Sequence, residues 1–295
     1  MPVSPASALE RLEKRLEQLP LLPEVVHELM SLRQDSPDYF EQVARALHAD
    51  PAFATRLLQY ANSAALGAGR PITTIQEAML RVGARGAVDL ILAHAAAQVF
   101  VPRSDWEIRL WKHSVDVAWL MRKLSVLAVE HRGEPDEAYV FGLLHDIGRF
   151  VLYLEAPEEL RSVEETDWAT PDELVEAETR ICGFTHSELG YLALRKWRLP
   201  DALAEAVRWH HTRPLPLGSI DGRYRALNAL LQDADWIAVA AERAESGDGA
   251  ARAALRGALN GKLQLRLRGT VDNLEFAIRE ALRESGRMLA ALHLR

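Results

Sequence analysis

Residues 141–149 read Phe141-Gly142-Leu143-Leu144-His145-Asp146-Ile147-Gly148-Arg149. Two strongly polar side chains thus sit side by side in a stretch that is otherwise apolar and reads as a buried helix. A buried imidazole and carboxylate cost several kcal/mol unless they are paired or coordinated. The fold must therefore bring partners to this doublet from elsewhere in the chain. The candidates are His113, His186, His210, His211 and Asp235. Imidazole nitrogens and carboxylate oxygens are donors that Fe, Mn, Mg or Zn accept.

Helical periodicity runs through nearly every segment. Leu9, Leu12, Leu16 and Leu19 fall on one helix face, and Phe40, Val43 and Leu47 repeat the pattern. Asp50-Pro51 reads as an N-cap followed by proline at the first helical position. Thr74 with Glu77, Thr170 with Glu173 and Thr185 with Glu188 have capping-box spacing. Pro200-Asp201 opens a helix expected to run to His210, and another begins near Trp106. Alternation is rare and β-branched residues do not cluster between turn signals, so the expected fold class is all-α. Pro102–Asp105 and Ser246-Gly247-Asp248-Gly249 break the pattern. They divide the chain into a helical part over 1–104, a His-rich helical part over 105–245, and a C-terminal appendage over 250–295. In the appendage Leu274, Ala277, Ile278, Ala281 and Leu282 make one apolar face, with Leu289 nearby, expected to dock on the protein's own core.

Composition narrows the function classes. The 295 residues carry a net charge of −7, which argues against non-specific nucleic-acid binding. Lys262, Arg266 and Arg268 form only a short basic stretch, expected to solvate a helix face. The single cysteine, Cys182, excludes an intrachain disulfide, fits a reducing cytosol, and reads as a small buried filler. No apolar run is long enough to cross a bilayer, and the first residues show no signal-peptide pattern. A cytoplasmic protein without a membrane partner is expected.

The candidate residues fall on separate helices. His113 is expected mid-helix, His145-Asp146 on the next long helix, His186 at a helix start, His210-His211 at a helix end and Asp235 on a further helix. Side chains from several helices can build a metal cage in a bundle core. Adjacent helical residues project about 100° apart, so His145 and Asp146 share one cation only if it lies between their directions. His27, His48 and His94 read as surface or satisfied core residues. His210-His211 alone would be at home at a helix C-terminus, where the dipole favours imidazolium. Asp233 reads as a solvated helix residue, and Asp235 is preferred for the site. Spacing alone leaves a metal site and a buried polar network as alternatives.

The chain resembles the HDOD proteins, the HD-related output domain group of the HD superfamily, over about residues 10 to 245. The first part of the resemblance lies in Leu19-Pro20-Leu21-Leu22-Pro23, Asp50-Pro51, Leu57-Leu58, Ala61-Asn62-Ser63, Ile72, Ala78 and Val82-Gly83. The second lies in Trp111-Lys112-His113-Ser114, Gly142–Gly148, His186–Gly190, Trp197-Arg198-Leu199-Pro200 and His210-His211. The combination is specific where no single piece is. It implies an HD-like helical bundle packed on an N-terminal helical subdomain, acting as a bacterial signalling module. No alternating strand–helix pattern of a sensor or receiver domain occurs, so the input is expected from a signalling protein partner or from a nucleotide or phosphate ligand.

Carried over residue by residue, the resemblance places metal ligands at His113, His145, Asp146 and Asp235. It adds His186, His210 and His211 as further ligands or phosphate-contacting groups. The implied chemistry is metal-assisted hydrolysis, in which a cation activates water and neutralises phosphate charge. Asp146, His186, His210, His211 and Arg149 would then be the catalytic set. Two departures weigh against it. Enzymatic relatives that cleave cyclic di-GMP commonly have Lys where this chain has Arg149, which cannot donate a proton at ordinary pH. After His210-His211 the chain reads Thr212-Arg213-Pro214-Leu215-Pro216, without their Gly-Tyr-Pro signature. The leading expectation is a regulatory interaction module without robust catalysis, and the alternative is a metal-dependent phosphohydrolase acting on a nucleotide or phosphodiester.

Overall fold

The computed structural model describes residues 16, 24–49, 51–62, 72–130, 134–166, 168–216, 218, 220–245, 253, 255–257, 259 and 263–294. The expectations at Leu19–Pro23, Asp50, Ser63, Ser246–Gly249 and Lys262 lie outside them. In chain order the helices are α1 (Glu24–Ser31), α2 (Tyr39–Ala49), α3 (Pro51–Ala61), α4 (Ile75–Val82), α5 (Ala84–Val99), α6 (Asp105–Ser125) and α7 (Pro135–Leu144). They continue with α8 (Ile147–Glu155), α9 (Pro157–Glu164), α10 (Pro171–Ile181), α11 (His186–Lys196), α12 (Asp201–Trp209), α13 (Gly222–Glu245) and α14 (Val271–Ala291). Among the described residues there is no strand, only an isolated bridge between Ala128 and Leu267. The fold is all-α.

The chain clusters into two compact units. One takes Pro20–Ile108 with Arg283–Arg295, and the other Met1–Leu19 with Arg109–Leu282. In the first, α5 is buried nearly all round, through Leu90, Ile91, Ala93 and Ala95 among others. A helix with no polar face belongs at the centre of its unit, and α1 to α4 pack around it. Thr74 caps α4 by accepting from the Glu77 amide. Gly83, at φ +83, ends α4 and starts α5, a left-handed conformation that a residue without Cβ adopts freely. The Asn62 side chain donates to the Ile72 carbonyl at 2.8 Å and accepts from its amide at 2.8 Å.

In the second unit α11 packs against α8 and α12, and α13 against α7 and α12. Thr170 caps α10 behind Pro171, and Thr185 and Glu188 form a complete capping box on α11. Glycine permits the tightest contacts. A Cβ at Gly148 on α8 would fall 1.9 Å from the His186 carbonyl oxygen, and one at Gly142 on α7 would fall 2.7 Å from the Ala118 Cα. The α8–α11 and α7–α6 contacts are therefore backbone against backbone. Cys182 is buried, as are Leu274, Ile278 and Ala281 of the α14 stripe. Arg266 and Arg268 are exposed, but on a non-helical strap, not on a helix face, and Arg266 pairs with Glu130.

Candidate metal centre

The His145-Asp146 doublet does not lie inside a helix, as the apolar pattern predicted. α7 ends at Leu144, α8 starts at Ile147, and Asp146 takes φ −94, ψ 15. That is the sparsely populated bridge region, common at functional sites. The break releases the pair from the 100° divergence of helical neighbours. Both side chains turn into the core of the second unit, where His145 is 0% and Asp146 2% exposed.

Four separate elements deliver the remaining groups. His113 comes from α6, His186 is the first residue of α11, His210 and His211 follow α12, and Asp235 lies on α13. Asp146 is at the centre. Its Oδ1 lies 3.2 Å from His186 Nε2, 3.6 Å from His145 Nε2 and 3.8 Å from His210 Nε2. Its Oδ2 lies 3.7 Å from His113 Nε2. Asp235 Oδ1 is 3.2 Å from His113 Nε2, and its Oδ2 is 3.7 Å from His211 Nδ1. Every site residue expected from the sequence is thus at one place. They form two groups, Asp146/His186/His210/His211 and His113/His145/Asp235, each with ligand atoms within 4.8 Å of one another.

The orientation of the rings bears on what could fill the space between them. His145 Nδ1 donates to the Gly142 carbonyl at 2.7 Å, and His210 Nδ1 to the Val207 carbonyl at 2.5 Å. His186 Nδ1 donates to Glu178 Oε2 at 2.6 Å, and the same oxygen accepts the His186 amide at 2.8 Å. A carbonyl or carboxylate oxygen can only accept, so Nδ1 carries the hydrogen in all three rings. In a neutral ring Nε2 then presents a lone pair to the cluster. His145 Nε2 is buried and has no hydrogen-bond partner. His186 Nε2 and His210 Nε2 face each other at 3.2 Å, and His211 Nε2 lies 3.0 Å from His186 Nε2. The His186 and His210 lone pairs, facing each other at this distance, repel unless a cation or proton stands between them. The donor set fits a divalent first-row metal or Mg, with ring tautomers locked by outer partners in the manner of metal-binding histidines.

The electrostatics sort the groups. Burial, aided by His113 and His210, pushes His145 down to about 4, so this ring is neutral. Burial also dominates at His211 and, with His210 and His186, takes it well below the usual range. Burial opposes the proton on His186, but Glu178 and Asp146 outweigh it and raise this ring. His113 is likewise raised against burial, by its hydrogen bond to Asp235 and the charge of Asp146. Burial would raise Asp146, yet the surrounding imidazoles and Arg149 hold it far below the ordinary carboxylate range.

Arg149 closes the outer side. It contacts Asp146 Oδ2 at 3.3 Å, pairs with Glu164 of α9, and stacks 5.4 Å from the Trp168 ring. A cleft open to solvent lies over the cluster, lined by His113, Asp146, Arg149, Trp168, His211 and Asp235 among others.

Glu178, Glu164 and Trp168 were not anticipated from the sequence. Asp233 was, but wrongly, as a solvated residue. It is 2% exposed and accepts the backbone amides of Gln264 and Leu265, both at 3.1 Å. His27 is exposed, His48 contacts Gln76, and His94 contacts Gln98 and the edge of Phe53; none joins the cluster.

The family model of the HDOD domain matches residues 19–213. An uncharacterized protein of Treponema pallidum (strain Nichols) is 26% identical over 202 residues, 68% of this chain. This chain spans only 39% of that relative's length. Among solved structures, an HDOD domain protein with unknown function from Geobacter sulfurreducens aligns with TM-score 0.69 and 20% identity, over 99% of each chain. A protein from Shewanella amazonensis SB2B, provisionally named a phosphohydrolase, aligns with TM-score 0.67 and 22% identity over 94% of this chain and 98% of its own. At these identities the likeness is one of fold.

Proposed function

This chain belongs to the HDOD family, and from that premise we propose that it is a bacterial, cytoplasmic signal-transduction module that regulates by interaction and carries no robust catalysis. Its His/Asp cluster holds one or two divalent cations, Fe, Mn, Mg or Zn, in a structural or ligand-sensing role. His113, His145, Asp146 and Asp235 are the core ligands, with His186, His210 and His211 completing the set. The helices before residue 104 offer the surface for a signalling protein partner. No membrane or nucleic-acid partner is proposed, and among the described residues no helix is long and apolar enough to cross a membrane.

One observation carries the regulatory reading. The wall of the cleft includes Arg149, already engaged with Asp146 and Glu164. A guanidinium neutralised by two carboxylates has little attraction left for a phosphodiester.

A second reading, a metal-dependent phosphohydrolase, draws support from the two adjacent donor groups, an arrangement suited to holding a phosphoryl oxygen and its leaving group. A bound cation would supply Lewis acidity and water activation. Asp146 would orient the nucleophile's proton, His186, His210 and His211 would stand near the leaving oxygen, and Arg149 would have to exchange Glu164 for phosphate.

The deciding experiment pairs elemental analysis of tag-free protein with turnover assays on nucleotides and phosphate esters in Fe, Mn, Mg and Zn. Stoichiometric metal with no turnover above the metal-only blank is expected. Robust hydrolysis abolished by Asp146→Ala would overturn the regulatory reading. Glu178 offers a finer check of the metal. It fixes the His186 tautomer from outside the cluster, and Glu178→Gln is expected to weaken metal affinity about 10- to 100-fold. If melting falls but metal affinity holds, Glu178 supports only the fold.

A further inference from the structure

α12 ends in the buried core, and the carbonyls of its last turn have no helical donors of their own. α13 supplies them from its side chains. Asn228 donates to the Ala206 carbonyl at 3.0 Å. One turn on, Gln232 Nε2 donates to the Trp209 carbonyl at 3.0 Å and the Thr212 carbonyl at 3.1 Å, and approaches Asn228 Oδ1 at 3.1 Å. Trp209 and Thr212 bracket His210 and His211, so a single amide clamps both ends of the turn that aims these two rings.

The clamp is itself oriented from outside. With its NH2 end committed to two carbonyls, Gln232 must present its oxygen on the other side, where Gln264 Nε2 donates to it at 2.6 Å. Gln264 is an exposed residue. It sits on the strap 263–268, which is fastened at both ends. The Gln264 and Leu265 amides bind the buried Asp233 carboxylate. Val129 donates to the Arg266 carbonyl at 2.9 Å, and Arg268 donates to the Leu127 carbonyl at 2.8 Å. The strap lies beyond residues 19–213, the span of the domain match.

We propose that the strap 263–268 is a positioning element for the histidine cluster, acting through Gln264 and Gln232 on the turn that carries His210 and His211. As a statement about metal geometry, this rests on the cluster holding a divalent cation. As a statement about ring orientation, it stands without one.

Variants at Gln264 test it, because this exposed position can be changed without opening the core. Gln264→Lys keeps a donor facing Gln232 Oε1. Gln264→Ala removes the donor, and Gln264→Glu sets an acceptor against an acceptor. In metal-free, full-length protein labelled with 15N-histidine, the ring signals of His210 and His211 are expected to move most in Glu, less in Ala and least in Lys, with His113 unmoved. Co2+ titration is expected to show affinity about ten-fold weaker for Ala, weaker still for Glu, and within about two-fold of the parent for Lys. A merely structural role would not sort the variants by donor chemistry. Ring signals unchanged in all three, or shifted equally in all three, would overturn the proposal. If the parent protein binds no Co2+, the metal reading fails, while the ring signals still decide the role of the strap.

Discussion

Asp146→Ala is expected to lower the chain's affinity for divalent metal more than about 100-fold, since changes to outer-shell partners alone cost 10- to 100-fold. Asp146 is the group that touches both donor sets. One oxygen approaches His186, His145 and His210, and the other His113 and Arg149. Without it, five imidazoles and the Asp235 carboxylate remain, and the anion that lies between the two groups is gone. Asp146→Asn separates charge from shape, because it keeps the volume and one acceptor oxygen while removing the negative charge. It should fall close to the alanine variant if charge dominates. Metal content by elemental analysis and affinity by competition titration provide the readouts, with His48→Ala, a residue of the other unit that belongs to neither donor group, retaining parental values. Metal content unchanged in Asp146→Ala would remove the metal from both functional readings and leave a buried polar network.

The all-α class was open to sequence reasoning because it depends on local signals. The caps at Thr74, Thr170 and Thr185 act over three or four residues, and the structure places helix starts at each. The ordered set of His and Asp residues was also legible, because polar groups in apolar helical stretches must find one another. The break at His145-Asp146 was not. Its local sequence is as apolar as a continuous helix, and the break becomes apparent only against α11, whose backbone meets Gly148.

Other features were hidden for nonlocal reasons. Glu178 sits in an acidic amphipathic helix among Glu173 and Glu176, and its type alone says solvent. The usable signal was its spacing of four from Leu174, which places it on the buried face. Asp233 looked solvated because a helix flanked only by local sequence has an outer face. The strap 263–268, some thirty residues later, covers that face with backbone amides, and no periodicity within α13 reports it.

Gly148→Ala is expected to be the most damaging methyl in the cluster's surroundings. The added Cβ would lie 1.9 Å from the His186 oxygen, 2.7 Å from the His186 carbonyl carbon and 2.8 Å from the Gly190 nitrogen. All three are backbone atoms, so no side chain can swing aside, and α11 must move outward as a body. Overpacking costs typically 1–3 kcal/mol when side chains can adjust, so more than about 3 kcal/mol is expected here. With about 2–4 °C per kcal/mol for domains of this size, the melting midpoint should drop by about 6 °C or more. Because His186 is itself the displaced residue, metal affinity should fall with stability. Gly257→Ala is the control: it is helical, nothing lies within 4 Å of its added Cβ, and replacing a helical glycine stabilises by roughly 0.5–1 kcal/mol. Thermal denaturation of both variants separates steric contact from glycine propensity. A Gly148→Ala protein that melts with the parent would mean that α8 and α11 do not meet backbone to backbone, and the tight seat of His186 beside Asp146 would go with them.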